Sequence, residues 1–358
     1  MGAYTPKTIL VTGGAGFIGS NFIRYLLTKT DFAGRVINLD KLTYAGNLMS
    51  LSDVADKHQG SRYFFEHADI ADRHAVTQIF EKYKPDTVVH LAAESHVDRS
   101  IVGPAEFIQT NLVGTFMLLD VARTFWNGRQ DVLFHHVSTD EVYGSLGKTG
   151  YFTEETPYDP RSPYSASKAG SDHLVSAYFH TYGLPVTISN CSNNYGPYQF
   201  PEKLIPLMIL NMIEGKPLPV YGKGENVRDW LYVEDHCSGI WATMKHGQRG
   251  ESYNFGGNAE RTNLQLVHEL AAVVAEQTTR SLEEILSTIT FVKDRPGHDL
   301  RYAIDSSKVR NQLGWTCTVD LRSGLRETVS WVRTNMNWCN AVRSGEYAKW
   351  LATQYYDT

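Results

Sequence analysis

Two adjacent carboxylates follow an apolar run in the stretch HVSTDEVYG, residues 136–144. The run begins at Val132 and ends at Thr139, and Asp140 and Glu141 come next. Like charges side by side indicate either an exposed turn or a place where protons are transferred. In the second case mutual repulsion helps one carboxyl to keep its proton while the other ionises. The pair is a candidate general acid and general base.

A tyrosine and a lysine with helical spacing form a second chemical candidate. Tyr164 and Lys168 occur in SPYSASKAGSDHLV, and positions i and i+4 share one face of a helix. A cation near a phenol lowers the pKa of the phenol, which makes tyrosinate a plausible base for an alcohol. A surface pair is the alternative for this short motif when it stands alone.

A glycine-rich turn near the start predicts a dinucleotide site. Gly13, Gly16 and Gly19 lie between the apolar run TILVT and a helical pattern, and Asp40 ends the next run, 21 residues past Gly19. Glycines permit a tight turn that brings amide groups at a helix start close to a pyrophosphate. A carboxylate after the second strand can accept hydrogen bonds from ribose hydroxyls and repels an additional phosphate, so the pattern predicts NAD rather than NADP.

Composition narrows the class of protein. The chain has 358 residues and a formal net charge of −5, which argues against a nucleic-acid or membrane surface. Four cysteines without a CxxC pair favour a reducing cytoplasm, and the first residues lack the apolar stretch of a signal peptide. No histidine motif has metal-ligand spacing, so no metal is expected.

The chemical residues lie at the ends of predicted strands in an alternating α/β pattern. Apolar runs with little polar alternation predict parallel strands that helices cover on both faces. The expected fold is a Rossmann-type doubly wound parallel sheet with a smaller α/β substrate-binding domain. We assign 1–190 plus about 228–260 to the NAD-binding domain, and about 191–227 plus 261–358 to the substrate-binding domain.

Longer motifs carry a resemblance to a known family. TGGAGFIG, Thr139 and YSASK resemble the extended short-chain dehydrogenase/reductase family. Within it, AAESHVDRSI, STDEVYG, NCSNNYGPYQFPEKLIPL, RDWLYVEDH and RPGHDLRYAID resemble the nucleotide-sugar 4,6-dehydratases. The similarity extends from about residue 8 to the last helices. Sugar epimerases of the same fold are similar but lack the Asp-Glu pair.

The resemblance implies a role for each chemical residue. Tyr164, with Lys168 and Thr139, would deprotonate the glucose 4-hydroxyl while hydride passes to NAD. Glu141 would then remove the C5 proton, and Asp140 would protonate the departing 6-hydroxyl. The hydride would return to C6, giving a 4-keto-6-deoxy sugar.

The resemblance also implies the binding residues. The remaining cofactor contacts are Gly13, Gly16, Phe17, Ile18, Gly19, Asp40, Lys41, Leu42, Thr43, Asp69, Ile70, Leu91, Ala92, Ala93, Ser95, Thr110 and Asn194. The substrate contacts are Ser95, Thr139, Asn193, Lys203, Leu204, Pro219, Val220, Tyr221, Arg228, Asn263, Asp294, Arg295 and His298. Family members are usually homodimers, joined through helices that correspond to about 103–126 and 162–182.

Several alternatives remain open from the sequence. The resemblance favours a dTDP-sugar as substrate, whereas a UDP-, CDP- or GDP-hexose would keep the same chemistry. A 4-epimerase would need Tyr164 and NAD but would have no use for Asp140 and Glu141. A catalytically silent NAD-sensing or scaffold protein is disfavoured because every catalytic position is filled. For Arg228 and Arg295, structural ion pairs with Asp229 and Asp294 are the alternative to contacts with the substrate phosphates.

Overall fold

A computed structural model gives the fold of residues 4–294 and 297–343. The strands in this part of the chain are β1 (Thr8–Thr12), β2 (Arg35–Asp40), β3 (Tyr63–His67), β4 (Thr87–His90), β5 (Leu133–Thr139), β6 (Val186–Cys191), β7 (Asn193–Tyr195), β8 (Leu218–Tyr221), β9 (Val227–Tyr232), β10 (Ser252–Phe255), β11 (Glu260–Thr262) and β12 (Ile289–Val292). The α-helices are α1 (Phe17–Lys29), α2 (Ser52–His58), α3 (Arg73–Tyr83), α4 (Val97–Val102), α5 (Pro104–Phe107), α6 (Thr115–Trp126), α7 (Pro163–Tyr182), α8 (Leu204–Glu214), α9 (Val233–His246), α10 (Asn263–Gln277), α11 (Leu282–Leu286), α12 (Ser307–Leu313), α13 (Leu321–Thr334) and α14 (Met336–Val342).

Seven strands form one parallel sheet in the order β10-β6-β5-β4-β1-β2-β3. Side chains of β1 alternate between its faces: Ile9 and Val11 pack with α1 and α9, whereas Leu10 packs with α3 and α6. Every residue of β1, β4, β5 and β6 is buried, as expected for strands covered on both faces. The predicted Rossmann-type parallel sheet is confirmed.

A second apolar cluster joins α8, α10 and α13 beside two small sheets, of order β11-β9-β7 and β12-β8. A capping box between Thr262 and Gln265 begins α10, and Val267, Leu270 and Val274 bury its apolar face. The chain crosses between the two regions more than once, because β9 pairs with β7 and β11 whereas β10 pairs with β6 in the large sheet.

The functional edge of the large sheet follows from its strand order. β1 lies between β4 and β2, so the order reverses there, and ligands bind outside the carboxyl ends of strands at such a point. Thr12, Asp40 and Thr139 end β1, β2 and β5 and share this edge. Within the two described ranges, no helix is long and apolar enough to cross a membrane, and no group of three His, Cys, Asp or Glu residues could hold a metal ion.

Candidate active site

A large cavity opens at the carboxyl ends of the parallel strands, and the predicted catalytic residues all line it. Thr139, Asp140 and Glu141 reach it from the end of β5, and Tyr164 and Lys168 reach it from the first turns of α7. The two chemical motifs, which are separate in the sequence, therefore meet in one site.

The glycine turn after β1 allows the backbone to approach the cavity closely. Gly13 has φ 70°, a left-handed conformation that favours glycine, and a Cβ there would lie 2.7 Å from the Cα of Ala92. A Cβ on Gly19 would lie 2.2 Å from the carbonyl oxygen of Gly13. A side chain at Gly13 would clash with the backbone after β4, and one at Gly19 would clash with the turn itself. Glycine at both positions keeps the turn tight, which fits a cradle for a pyrophosphate.

Asp40 is positioned by backbone donors at the end of β2. Its carboxylate accepts hydrogen bonds from the N–H groups of Ala15 (2.9 Å) and Leu42 (2.8 Å). Burial raises the pKa of Asp40, and these two hydrogen bonds oppose that shift. The ammonium of Lys41 pairs with Asp69 at 2.8 Å. Of the predicted cofactor contacts, all line the cavity except Leu42, which contributes its backbone N–H to Asp40.

The adjacent carboxylates do not form an exposed turn. Asp140 is 2% exposed, and Glu141 is half-buried beside it. A one-turn 3₁₀ helix, Asp140–Tyr143, holds them, and the Thr139 hydroxyl accepts from the Glu141 N–H at 3.3 Å. Burial raises the pKa of Asp140 well above its usual range, Glu141 raises it further, and Arg228 opposes both. Asp140 therefore holds a proton more readily than an ordinary aspartic acid does.

Tyr164 and Lys168 are both buried near the start of α7. A capping box of Ser162 and Ser165 begins the helix. Burial raises the pKa of Tyr164 well above its ordinary value, and the charge of Glu141 adds to this effect. A hydrogen bond with Thr139 opposes the shift.

The Lys168 ammonium points toward β5. It donates to the carbonyl of Val137 at 2.9 Å and lies 3.4 Å from Nε2 of His136. Burial lowers the pKa of Lys168, and Asp172 raises it. The protein groups around Tyr164 thus raise the pKa of its phenol on balance. The lower phenol pKa that we expected from the sequence therefore depends on the positive charge of a bound cofactor.

The predicted substrate residues fall into two places. Ser95, Thr139, Asn193 and Lys203 line the cavity, and the Lys203 ammonium donates to the carbonyl of Ser95 at 2.9 Å. The others lie outside the residues that line it: Leu204, Pro219, Val220, Tyr221, Arg228, Asn263, Asp294 and His298. Arg295 lies outside the described residues.

Three of the outer residues form their own group at the end of β8. The Tyr221 hydroxyl donates to Asp98 at 3.3 Å, and the Tyr221 ring packs edge-on to His298 with ring centroids 6.0 Å apart. Nδ1 of His298 lies 2.6 Å from the carboxylate of Asp294. The structure therefore brings together three of the residues that the resemblance assigned to the substrate, and none of the three lines the cavity.

Arg228 is buried between loops of the smaller region. Its guanidinium donates to the carbonyls of Val227 and Asp299 and stacks 4.2 Å from the ring centre of Tyr302. Asp229 accepts from the backbone N–H groups of Gly257 and Ala259, both at 2.7 Å. These contacts give Asp229 a structural role of its own, so it is not simply the counter-ion of Arg228.

Sequence reasoning missed ionisable residues of the cavity wall, among them Glu94 and Glu202, and a buried group behind it. Glu202 is 5% exposed and accepts a hydrogen bond from the Tyr44 hydroxyl at 3.1 Å. Burial raises its pKa to about 7. His136 and Asp172 lie behind Lys168. For Asp172 the sequence did carry a signal, because Asp172 lies on the same face of α7 as Tyr164 and Lys168.

A dinucleotide cradle joined to a Thr-Tyr-Lys site is typical of the extended short-chain dehydrogenase/reductases. Residues 10–328 match the family model described as GDP-mannose 4,6 dehydratase. The chain is 54% identical to the dTDP-glucose 4,6-dehydratase of Salmonella typhimurium over 97% of this chain and 98% of that protein. It is also 54% identical to that of Neisseria meningitidis, over 95% and 97%. The chain belongs to the dTDP-glucose 4,6-dehydratase family, which confirms the family predicted from the motifs.

Solved structures agree with this family membership. DesIV, a dTDP-glucose 4,6-dehydratase from Streptomyces venezuelae solved with NAD bound, is 46% identical with a TM-score of 0.86, over 94% of this chain and 99% of that chain. The UDP-glucose 4-epimerase of Thermotoga maritima has a TM-score of 0.80 at 28% identity, over 92% and 99%. The fold is thus shared with epimerases, whereas the higher sequence identity is with the dehydratases.

Proposed function

We propose that this chain converts dTDP-glucose to dTDP-4-keto-6-deoxyglucose and water with bound NAD. The observation that carries this function is the placement of buried Asp140 beside Glu141 in the cavity that holds Tyr164. An epimerase needs an alcohol base but no second acid–base pair. Elimination of water needs both a base and an acid, and this site supplies them in addition to Tyr164.

Tyr164 acts on the 4-hydroxyl of the sugar. Its phenolate takes the hydroxyl proton. The Thr139 hydroxyl positions the phenol of Tyr164 and the 4-hydroxyl of the sugar by hydrogen bonding. Bound NAD supplies the hydride chemistry, oxidising C4 at the start and reducing C6 at the end. The Gly13–Gly19 turn and Asp40 fit this cofactor because the turn leaves room for a pyrophosphate and Asp40 faces the cavity.

Asp140 and Glu141 remove water from C5 and C6. The 4-ketone acidifies the C5 proton, and Glu141 takes it as a carboxylate. Asp140 donates its proton to the 6-hydroxyl, which leaves as water. The raised pKa of Asp140 suits a general acid at neutral pH, and the more exposed Glu141 suits a base.

The nucleotide half of the substrate extends from the cavity toward β8. Lys203 and Asn193 contact the sugar end, and the group of Tyr221, Asp294 and His298 lies where the base and diphosphate would follow. The guanidinium groups of Arg228 and Arg295 suit bidentate contact with the diphosphate. The full substrate set is Ser95, Thr139, Asn193, Lys203, Leu204, Pro219, Val220, Tyr221, Arg228, Asn263, Asp294, Arg295 and His298.

The domain division and the wider setting of the enzyme are part of the same proposal. The proposed NAD domain comprises 1–190 and about 228–260, and the sugar-nucleotide domain comprises about 191–227 and 261–358.

The chain forms a homodimer through segments of about 103–126 and 162–182. It works in the cytoplasm and supplies deoxysugars such as rhamnose. Exposed apolar side chains on the first segment, including Val102, Ile108 and Phe116 at or near it, support the dimer.

A panel of substrates in heavy water tests this function. The purified chain with NAD is mixed separately with dTDP-, UDP-, CDP- and GDP-glucose, and mass spectrometry follows water loss and deuterium uptake. We expect water loss and one incorporated deuterium with dTDP-glucose. Water loss only with another nucleotide would move the substrate and keep the chemistry. No water loss from any sugar would contradict the proposal.

A further inference from the structure

A buried polar group lies behind the catalytic tyrosine and lysine. Nε2 of His136 lies 3.4 Å from the Lys168 ammonium and 3.1 Å from the carboxylate of Asp172. All three side chains are at most 4% exposed. Tyr164, Lys168 and Asp172 follow one another at four-residue intervals, so α7 presents them along a single face.

Asp172 also connects this group to the acid–base end of the site. Its Oδ2 accepts hydrogen bonds from the hydroxyls of Ser138 (2.7 Å) and Tyr158 (2.9 Å). Asn190 lies 3.5 Å from the same oxygen and donates to the carbonyl of Thr139 at 3.3 Å. One carboxylate is thus shared by α7, the end of β5, β6 and the loop before α7.

Burial raises the pKa of Asp172, and the charge of Lys168 and hydrogen bonds from neighbouring side chains oppose that shift and favour the carboxylate. The other titratable groups around Lys168 leave Asp172 as its counter-charge. Burial lowers the pKa values of His136 and of His90 on β4, which keeps both imidazoles neutral. Burial raises the pKa values of Cys191, Tyr143 and Tyr158, which face the group from β6, the 3₁₀ turn and the loop, so these are neutral too. Asp140, Glu141 and Tyr164 lie on the cavity side.

We infer that Asp172 is a positioning residue whose charge keeps the Lys168 ammonium protonated and oriented during oxidation of the substrate alcohol. The inference rests on the proposed function, because Lys168 matters only if Tyr164 acts as the base. Asp172 touches neither the substrate nor the cofactor site and does not line the cavity. Its effect reaches Tyr164 only through Lys168 and through the Ser138 and Asn190 contacts.

Loss of the Asp172 charge should change the pH dependence in a defined direction. Asp172 raises the pKa of Lys168 against the opposing effect of burial. Without that charge the ammonium loses its proton at a lower pH, so the alkaline limb of the kcat profile moves to lower pH. A residue that only held the fold together would change Tm or KM without moving this limb.

The test compares the full-length chain loaded with NAD with its Asp172→Asn variant. We expect kcat for dTDP-glucose to fall about tenfold at neutral pH, KM to change less than about threefold, and the alkaline limb to move down by about one pH unit. A rapid-mixing measurement of cofactor reduction should show the same shift. If Asp172→Asn does not fold, Asp172→Ser removes the charge and is measured in the same way.

Tyr158→Phe is the matched control, because it removes one hydrogen bond to the same carboxylate oxygen but keeps the charge. We expect it to lower kcat slightly and to leave the alkaline limb in place. An Asp172 variant whose limb coincides with that of the unmodified chain would overturn the inference. Absence of turnover in the unmodified chain would instead overturn the proposed function, and the role of Asp172 with it.

Discussion

Asp140 lies buried at the end of β5 with the half-buried Glu141 beside it, and the charge of Glu141 raises the pKa of Asp140 beyond the effect of burial. The two carboxyls therefore have different environments although they are adjacent in the sequence. Such a difference separates an acid from a base at one pH.

Asp140→Asn should separate oxidation from elimination. The amide cannot donate a proton to the leaving hydroxyl as a carboxylic acid does, so we expect the rate of water loss to fall about 100-fold. Reduction of NAD by the substrate should persist, because Tyr164 is unchanged. Stopped-flow absorbance of the reduced cofactor and mass spectrometry of the product measure the two steps. Exposed Asp159→Asn is the control, and an Asp140→Asn variant with normal water loss would refute the assignment.

Glu141→Gln should block proton removal at C5. We expect the overall rate to fall about 100-fold or more, because an amide is not a base for a carbon acid. In heavy water, deuterium exchange at C5 of the substrate should decline together with water loss. The exposed Glu155→Gln should behave as the unmodified chain. Exchange that continued at the original rate would assign the base to another residue.

Asp40→Asn should weaken NAD binding and reduce discrimination against NADP. The carboxylate accepts two backbone N–H bonds and lines the cavity. Replacing its charge should remove both the attraction to ribose hydroxyls and the repulsion of a phosphate. We expect the Kd for NAD to rise about tenfold, which is about 1.4 kcal/mol, and the Kd for NADP to rise less or to fall. Calorimetric titration measures both. Asp72→Asn, which keeps a good helix cap outside the site, is the control.

Glu202 makes stability depend on pH in the neutral range. Its pKa in the folded chain is about 7 against an ordinary 4.5, so the folded state binds more protons than the unfolded state between these values. Stability from this residue is therefore lost as pH rises from about 4.5 to 7. The free energy of unfolding of Glu202→Gln, relative to that of the unmodified chain, should therefore rise by about 3 kcal/mol from pH 4.5 to pH 8. Denaturation midpoints at several pH values measure this, with exposed Glu225→Gln as control. A constant difference would contradict the shift.

The sequence predicted the parts of the site that depend on local order. Strand ends and helix starts place Thr139, Asp140 and Tyr164 at one edge of a parallel sheet, so their convergence follows from the alternating pattern. The glycine turn is local in the same way. Its spacing from Asp40 needs only two strands and one helix.

Contacts between distant segments could not be predicted from local patterns. The Tyr221 hydroxyl meets Asp98, which is 123 residues away, and Tyr44 meets Glu202 across 158 residues. Glu202 lies in a loop without periodicity, so no pattern distinguishes it from an exposed glutamate. The pKa shifts of such groups depend on burial, which is a property of the packed chain.

Transfer of the C4 hydrogen to C6 is the central claim, and dTDP-glucose labelled with deuterium at C4 tests it most directly. The chain with NAD is allowed to turn the labelled sugar over in ordinary water, and NMR locates the deuterium in the product. The account predicts a 4-keto-6-deoxy product with deuterium at C6. Deuterium at C4 of a hexose that has kept its 6-hydroxyl would indicate an epimerase and contradict the account. A product that had lost the deuterium would contradict it too.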